Sequence, residues 1–183
     1  MPFIFEKLEI PELMIITSKA HEDKRGYFFE GYKKSEFEKN GILEKFSQDN
    51  FSCSKKNVLR GLHFQLPPKA QSKLVRVVEG KIWDVAVDVR KTSPTFKKWV
   101  VEELSEENGK ALYIPGGFAH GFVVLSKTAR VLYKTSEEYE PKLEKGIVWN
   151  DKDLNITWPI REPVVSAKDG KLPGLSVAEI FDF

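Results

Sequence analysis

The sequence predicts a mainly β protein, an antiparallel sandwich or barrel with a few short helices. Three observations carry that expectation. The middle of the chain is a succession of short segments rich in β-branched and aromatic residues. In KIWDVAVDVR, residues 81–90, Trp83, Val85, Val87 and Val89 alternate with Asp84, Ala86 and Asp88, the period of two of a strand. Turn residues recur between the segments at short intervals, the spacing of sandwiches and barrels.

Taken in order, the first clear element is a helix near the N-terminus. Ser35 fits its N-cap, Glu38 three residues on completes a capping box, and Asn40-Gly41 ends it. KLVRVVEG is followed at once by KIWDVAVDVR, which reads as a hairpin turning at Glu79-Gly80. TFKKWVVEEL, KALYIP, HGFVVLS and ARVLYKTSEEY continue the strand pattern, with SEENGK at 105–110 as a turn or a single helical turn. From Trp158 onward, Pro159, Pro163, Pro173 and two glycines predict an irregular tail wrapped around the barrel. No repeat, low-complexity tract or linker interrupts the chain, so residues 1–183 are expected to form one domain.

Composition excludes several classes. With 183 residues, 41% apolar and 31% charged, the chain can bury a sizeable core and remain soluble. No apolar run approaches the roughly 18 residues of a membrane span. The opening MPFIFEKLEIPELMII is broken by Glu, Lys and Pro and has no basic region before its apolar part, unlike a secretory signal. A cytoplasmic location is expected. A net charge of +2 does not by itself imply a nucleic-acid partner. The lone Cys53 rules out an intrachain disulfide framework and a multi-cysteine zinc site.

There are three histidines. His63 sits in RGLHFQ, residues 60–65, and His120 in IPGGFAHGF. Pro115, Gly117 and His120 fit the spacing P-x-G-x-x-H of the second half of the cupin jelly-roll motif. Metal-binding cupins add an earlier H-x-H and a Glu. Here that earlier segment reads His63-Phe64-Gln65, and Gln is a poor substitute for imidazole or carboxylate. Two histidines fall short of the usual three protein ligands, so no bound metal is expected. A histidine can instead act as a base near neutral pH, given a group to orient it and a cation to steady the resulting anion. Arg60 and Lys73 lie close in sequence. Strand alternation puts Arg60, Leu62 and Phe64 on one face and Gly61, His63 and Gln65 on the other. Arg60 and His63 are therefore parted unless a twist or bulge reunites them. Local pattern alone fits His63 as a packed core histidine or as a base, and Tyr133 as a core residue with its hydroxyl at the rim or as a proton donor. It fits Lys73 to the surface and Asp169, in SAKDGKLPG, to an exposed turn.

Seven segments taken together resemble one family. They are DKRGYFFE (23–30), SQDNFSCS (47–54), VLRGLHFQ (58–65), QSKLVRVVEGKIWDVAVDVRKTSPTF (71–96), YIPGGFAHGFVVLS (113–126), YKTSEEYEPKLEKGIVWND (133–151) and SAKDGKLPGL (166–175). In order and spacing they are similar to the dTDP-4-dehydrorhamnose 3,5-epimerases, cofactor-free cupins acting on a nucleotide sugar. The resemblance implies roles. His63 matches the catalytic base, Asp169 the acid that orients it, Tyr133 the proton donor on the opposite sugar face, and Lys73 the cation beside the C4 oxygen. Arg25, Glu30, Gln48, Asn50, Arg60, His120 and Glu144 match positions that contact the nucleotide sugar. The resemblance also implies a cupin jelly roll, no cofactor, a dTDP-sugar substrate and a homodimer in which Arg25 and Glu30 serve the neighbour's pocket. Two positions depart from the pattern. Glu138-Tyr139 stands where two adjacent aromatics are common, and Gly170-Lys171 where a longer basic or amide side chain often follows the aspartate.

The chemistry is self-consistent. The C4 ketone acidifies hydrogens at C3 and C5 and serves as electron sink, so no pyridoxal, flavin or metal is required. Inversion needs removal on one face and return on the other, hence two groups. Three- or five-position mono-epimerases share these motifs and are the alternative. A metal-dependent cupin oxygenase and a non-catalytic sugar-nucleotide binder are more distant ones.

Overall fold

The computed structural model describes residues 2–183. In chain order the strands are β1 (Phe3–Lys7), β2 (Met14–Ser18), β3 (His21–Asp23), β4 (Gly26–Phe28), β5 (Gln48–Lys55), β6 (Leu59–Gln65), β7 (Lys73–Glu79), β8 (Lys81–Asp88), β9 (Trp99–Ser105), β10 (Lys110–Ile114), β11 (Phe118–Val124), β12 (Thr128–Thr135) and β13 (Glu144–Gly146). Helix α1 (Lys34–Lys39) precedes β5, and a 3-10 turn covers Asp169–Lys171. A six-stranded sheet runs β1-β2-β10-β7-β12-β5, and a five-stranded sheet runs β13-β6-β11-β8-β9. All pairings between these strands are antiparallel. Strands β3 and β4 form a separate, fully exposed ribbon. No helix among the described residues is long and apolar enough to cross a membrane.

Three apolar layers hold the sheets. Val75, Val77, Leu112 and Val131 of the six-stranded sheet meet Ile82, Ala86, Phe118 and Phe122 of the other, closing the sandwich. Outside the five-stranded sheet, Leu62, Phe64, Val85 and Val87 pack under Leu154, Leu175, Ile180 and Phe181 of the tail. Outside the six-stranded sheet, Ile16, Leu74 and Tyr113 pack under Phe37 of α1 and Ile42. Strand β8 is therefore covered on both faces. Its period of two does not mark a wet side, and Asp84 and Asp88 are fully buried.

Two local expectations change. Helix α1 starts at Lys34 with Lys33 as its cap residue, and no side chain makes a capping hydrogen bond. Ser35 thus lies inside the first turn, whereas the end at Asn40-Gly41 is as expected, Gly41 having φ +87°. Glu79-Gly80 is not a hairpin turn. β7 pairs with β10 and β12, and β8 with β11 and β9, so the chain crosses here from one sheet to the other. Gly80 (φ +80°) fits both roles, because a Cβ there would lie 2.1 Å from the Thr128 carbonyl oxygen. The tail is irregular as expected, apart from the 3-10 turn and two isolated bridges, Val58 to Val164 and Arg90 to Phe181.

Candidate active site

A cavity of about 560 Å³ opens at one end of the sandwich. Arg60, His63, His120 and Glu144 line it from the five-stranded sheet, and Asn50, Lys73 and Tyr133 from the six-stranded sheet. Asp169 enters from the tail.

Strand β6 reunites the residues that simple alternation parted. His63 pairs with His120, yet Arg60 pairs with Phe122, so three steps on β6 answer two on β11. That is a bulge, with one extra residue on β6. Gly61 permits it. Its φ is +124°, and a Cβ would lie 2.6 Å from Gly121 Cα and 2.8 Å from the His120 carbonyl oxygen. Leu62 and Phe64 stay under the tail, while Arg60 and His63 both face the cavity.

The His63 ring donates from Nε2 to Asp169 Oδ1 at 3.0 Å. Asp169 also accepts from the Gly61 amide at 3.2 Å, and its own amide donates to Ser166 Oγ at 3.0 Å. Far from an exposed turn residue, Asp169 is 4% exposed. Burial alone raises its carboxyl. The bond and charge of His63, with the Gly61 and Ser166 bonds, outweigh this and hold it below the usual carboxylate range. A carboxylate bound to Nε2–H leaves Nδ1 as the basic nitrogen.

Lys73 begins β7 on the facing sheet and donates to the His63 carbonyl oxygen at 3.1 Å. Burial pushes its amine down to about 8, against the pull of Asp84 and Glu144. Tyr133, also on the facing sheet, shares a hydrogen bond with Ser52 Oγ at 3.0 Å. Burial holds its phenol well above the ordinary range, and the Ser52 bond pulls the other way. His63 and Tyr133 thus line the same cavity from opposite sheets.

A second histidine–carboxylate pair lies deeper. His120 Nε2 is 2.9 and 3.0 Å from the two oxygens of Asp84, and both residues are buried. At the rim, Glu144 accepts from Tyr139 Oη and Lys168 Nζ, each at 2.5 Å. Burial raises the Glu144 carboxyl, and these two bonds bring it below its usual range. Arg60 donates through Nε to Ser54 Oγ at 2.9 Å and meets no carboxylate among the described residues. Its outer fork is thus free for an anion.

Three sequence candidates lie outside this cavity. Gln48 stands behind the wall, donating to Asn50 Oδ1 at 2.7 Å and accepting from the Tyr139 amide at 2.9 Å. Arg25 sits at the tip of the β3–β4 ribbon, ion-paired with Asp23 at 2.5 Å. Glu30 lies just beyond β4, 3.7 Å from Lys33. Three residues were not singled out from the sequence: Asp84, Ser52 and Ser54. The signal for the serines was the alternation Asn50, Ser52, Ser54 on β5, which puts all three on the face turned to Arg60 and Tyr133.

Gln65, which occupies the place of a second motif histidine, has its amide engaged elsewhere. It donates to the Lys69 and Glu138 carbonyls and accepts from the Glu140 amide. Among the described residues no group of three or more His, Cys, Asp and Glu side chains is arranged to hold a metal ion.

An imidazole held by a carboxylate and a buried phenol, set on two sides of one cavity in a two-sheet β sandwich, are the equipment of an acid–base enzyme. The family follows from comparison with known proteins. The family model for dTDP-4-dehydrorhamnose 3,5-epimerase matches residues 7–176, and the chain belongs to that family. It is 53% identical over 164 residues to the dTDP-4-dehydrorhamnose 3,5-epimerase of Shigella flexneri, covering 89% of this chain and 91% of that one. The crystal structure of dTDP-6-deoxy-D-glucose-3,5-epimerase from Legionella pneumophila, in complex with dTDP-4-keto-L-rhamnose, superposes with a TM-score of 0.95. It is 43% identical and covers 99% of this chain and 98% of its own. The Sulfolobus tokodaii dTDP-4-dehydrorhamnose 3,5-epimerase gives a TM-score of 0.93 at 47% identity, covering 100% of both chains. The fold is thus the cupin-like jelly roll of these enzymes.

Proposed function

We propose that the protein inverts C3 and C5 of dTDP-4-dehydro-6-deoxy-D-glucose, giving dTDP-4-dehydro-L-rhamnose, with His63 as base and Tyr133 as acid. The observation that carries this reading is the placement of the two groups on facing sheets, each with a polar partner fixing it. His63 Nδ1 removes the proton α to the C4 ketone, and Asp169 steadies the imidazolium through Nε2–H. Charge moves onto the C4 oxygen, where the Lys73 ammonium meets it. Tyr133 then delivers a proton to the other face of the carbon. Its phenol is protonated at neutral pH, as an ordinary tyrosine is, and burial extends that protonated range further into alkali. The ketone is the electron sink, so the sequence of steps needs no added cofactor. Arg60 suits the diphosphate, and Asn50, His120 and Glu144 the remaining polar groups of the nucleotide sugar.

The test is proton NMR of the product over a range of pH. Inversion at both carbons is expected. The rate is expected to fall on the alkaline side as Lys73 loses its proton near 8, while Tyr133 still holds its own. In Lys73→Arg that alkaline limb moves upward. A product unchanged at C3 and C5 contradicts the reading.

The homodimer belongs to the same proposal. It is supported by the β3–β4 ribbon, which exposes Tyr27 (61%) and Phe28 (69%) beside Arg25 and buries nothing of its own. A neighbour's cavity is where Arg25 and Glu30 then act. Light scattering is expected to give twice 21.0 kDa, and a monomer contradicts the assignment.

A further inference from the structure

Tyr133 has a reset problem. Once it has given its proton to carbon it is a phenolate, walled in beside Phe122 and His120 with ring centroids 6.2 and 6.3 Å away. Burial disfavours that anion, so the proton must come back before the next turnover. Among the described residues the one hydrogen bond of the phenol is to Ser52 Oγ, at 3.0 Å. Ser52 stands on β5, the edge strand of the six-stranded sheet, and is only half-buried, so it links the buried phenol to a less enclosed position at the sheet edge. The neighbouring serine on the same face, Ser54, is occupied by Arg60 Nε at 2.9 Å, and Asn50 by Gln48 at 2.7 Å. Among these three, Ser52 alone touches the acid.

We propose that Ser52 is a positioning and proton-return residue for Tyr133; this rests on the reading of Tyr133 as the acid. The Tyr133 O–H bond breaks as the new C–H bond forms and the enolate becomes the ketone again. The phenolate then takes the Ser52 hydroxyl proton while Ser52 takes one from water. The His63 imidazolium releases the abstracted proton to solvent, so the proton count closes and nothing is oxidised or reduced. In this role Ser52 acts through Tyr133, the side chain it bonds, and not on the reacting carbon. It also aims the phenol, since a hydroxyl free to rotate presents its proton to carbon only part of the time.

The experiment compares wild type, Ser52→Ala and Ser52→Thr with the 4-keto sugar nucleotide in D2O, following deuterium uptake and inverted product separately. In Ser52→Ala, uptake by way of His63 is expected to stay near the wild-type rate while inversion falls on the order of 10²-fold. Ser52→Thr keeps a hydroxyl and is expected to restore inversion. Unchanged inversion in Ser52→Ala overturns the proposal. So does a parallel loss of uptake and inversion, the mark of a merely structural serine, and so does failure of Ser52→Thr to rescue. Wild type that takes up no deuterium overturns the acid–base reading itself, a result distinct from a normal wild type beside an unaltered Ser52→Ala.

Discussion

His63→Ala is expected to lower turnover about 10²–10⁴-fold with little change in KM, and to abolish solvent exchange at both carbons. The size of the effect follows from the lack of a substitute. His120 is the Cα partner of His63 across β6 and β11, so it is the nearest second imidazole along the sheet. Its Nε2 is held by both oxygens of Asp84 in a buried pair, which ties its ring away from the task. Lys73 is committed to the His63 carbonyl and carries a positive charge below about 8, so it cannot accept a proton there. The variant should fold, because Asp169 retains its bonds to the Gly61 and Ser166 backbone and side-chain groups. Steady-state NMR rates on the purified variant check this. Turnover within about tenfold of wild type, too small a loss for a missing general base, removes His63 from that role.

Tyr133→Phe is expected to separate two events that are coupled in the wild type. The base still removes and returns a proton on its own face, so deuterium enters the substrate. The proton for the opposite face is missing, and inverted product falls about 10²–10⁴-fold. Phenylalanine keeps the packing against Phe122 and His120 and removes only the hydroxyl bonded to Ser52, so a packing defect does not explain a loss. Mass and NMR analysis of recovered substrate distinguishes the cases. If exchange disappears with inversion, Tyr133 is needed for the first proton removal and its assignment as acid alone is wrong.

Strand positions were legible in the sequence because β-branched and aromatic alternation is a local signal, and β8 shows it in full. Strand partners were not. A glycine with positive φ serves a hairpin and a sheet-to-sheet corner equally, and only the long-range packing of β7 beside β10 and β12 decides between them at Gly80. The same limit applied to the buried acids. Asp169 is an exposed turn residue by local pattern, and for Asp84 the pattern gives only its alternation on β8. Asp84 is buried because, with Ile82 and Ala86, it is on the face of β8 turned into the sandwich, where it meets His120, and Asp169 because the tail folds back onto β6. His63 and Arg60 required a break in strand alternation that Gly61 hinted at, since glycine inside a strand often marks a bulge. The catalytic reading of Asp169 and Tyr133 came from the match of seven segments to one family, and the geometry adds the partner that each one has, His63 and Ser52.

The central claim is that a base on one sheet and an acid on the other invert two carbons flanking one ketone. The most direct test is NMR of the wild-type protein with dTDP-4-dehydro-6-deoxy-D-glucose in D2O, reading the label carbon by carbon. Deuterium at both C3 and C5 of the inverted product is the expected result. Label at only one of the two would make the protein a mono-epimerase, and label at neither would contradict proton abstraction from this substrate altogether.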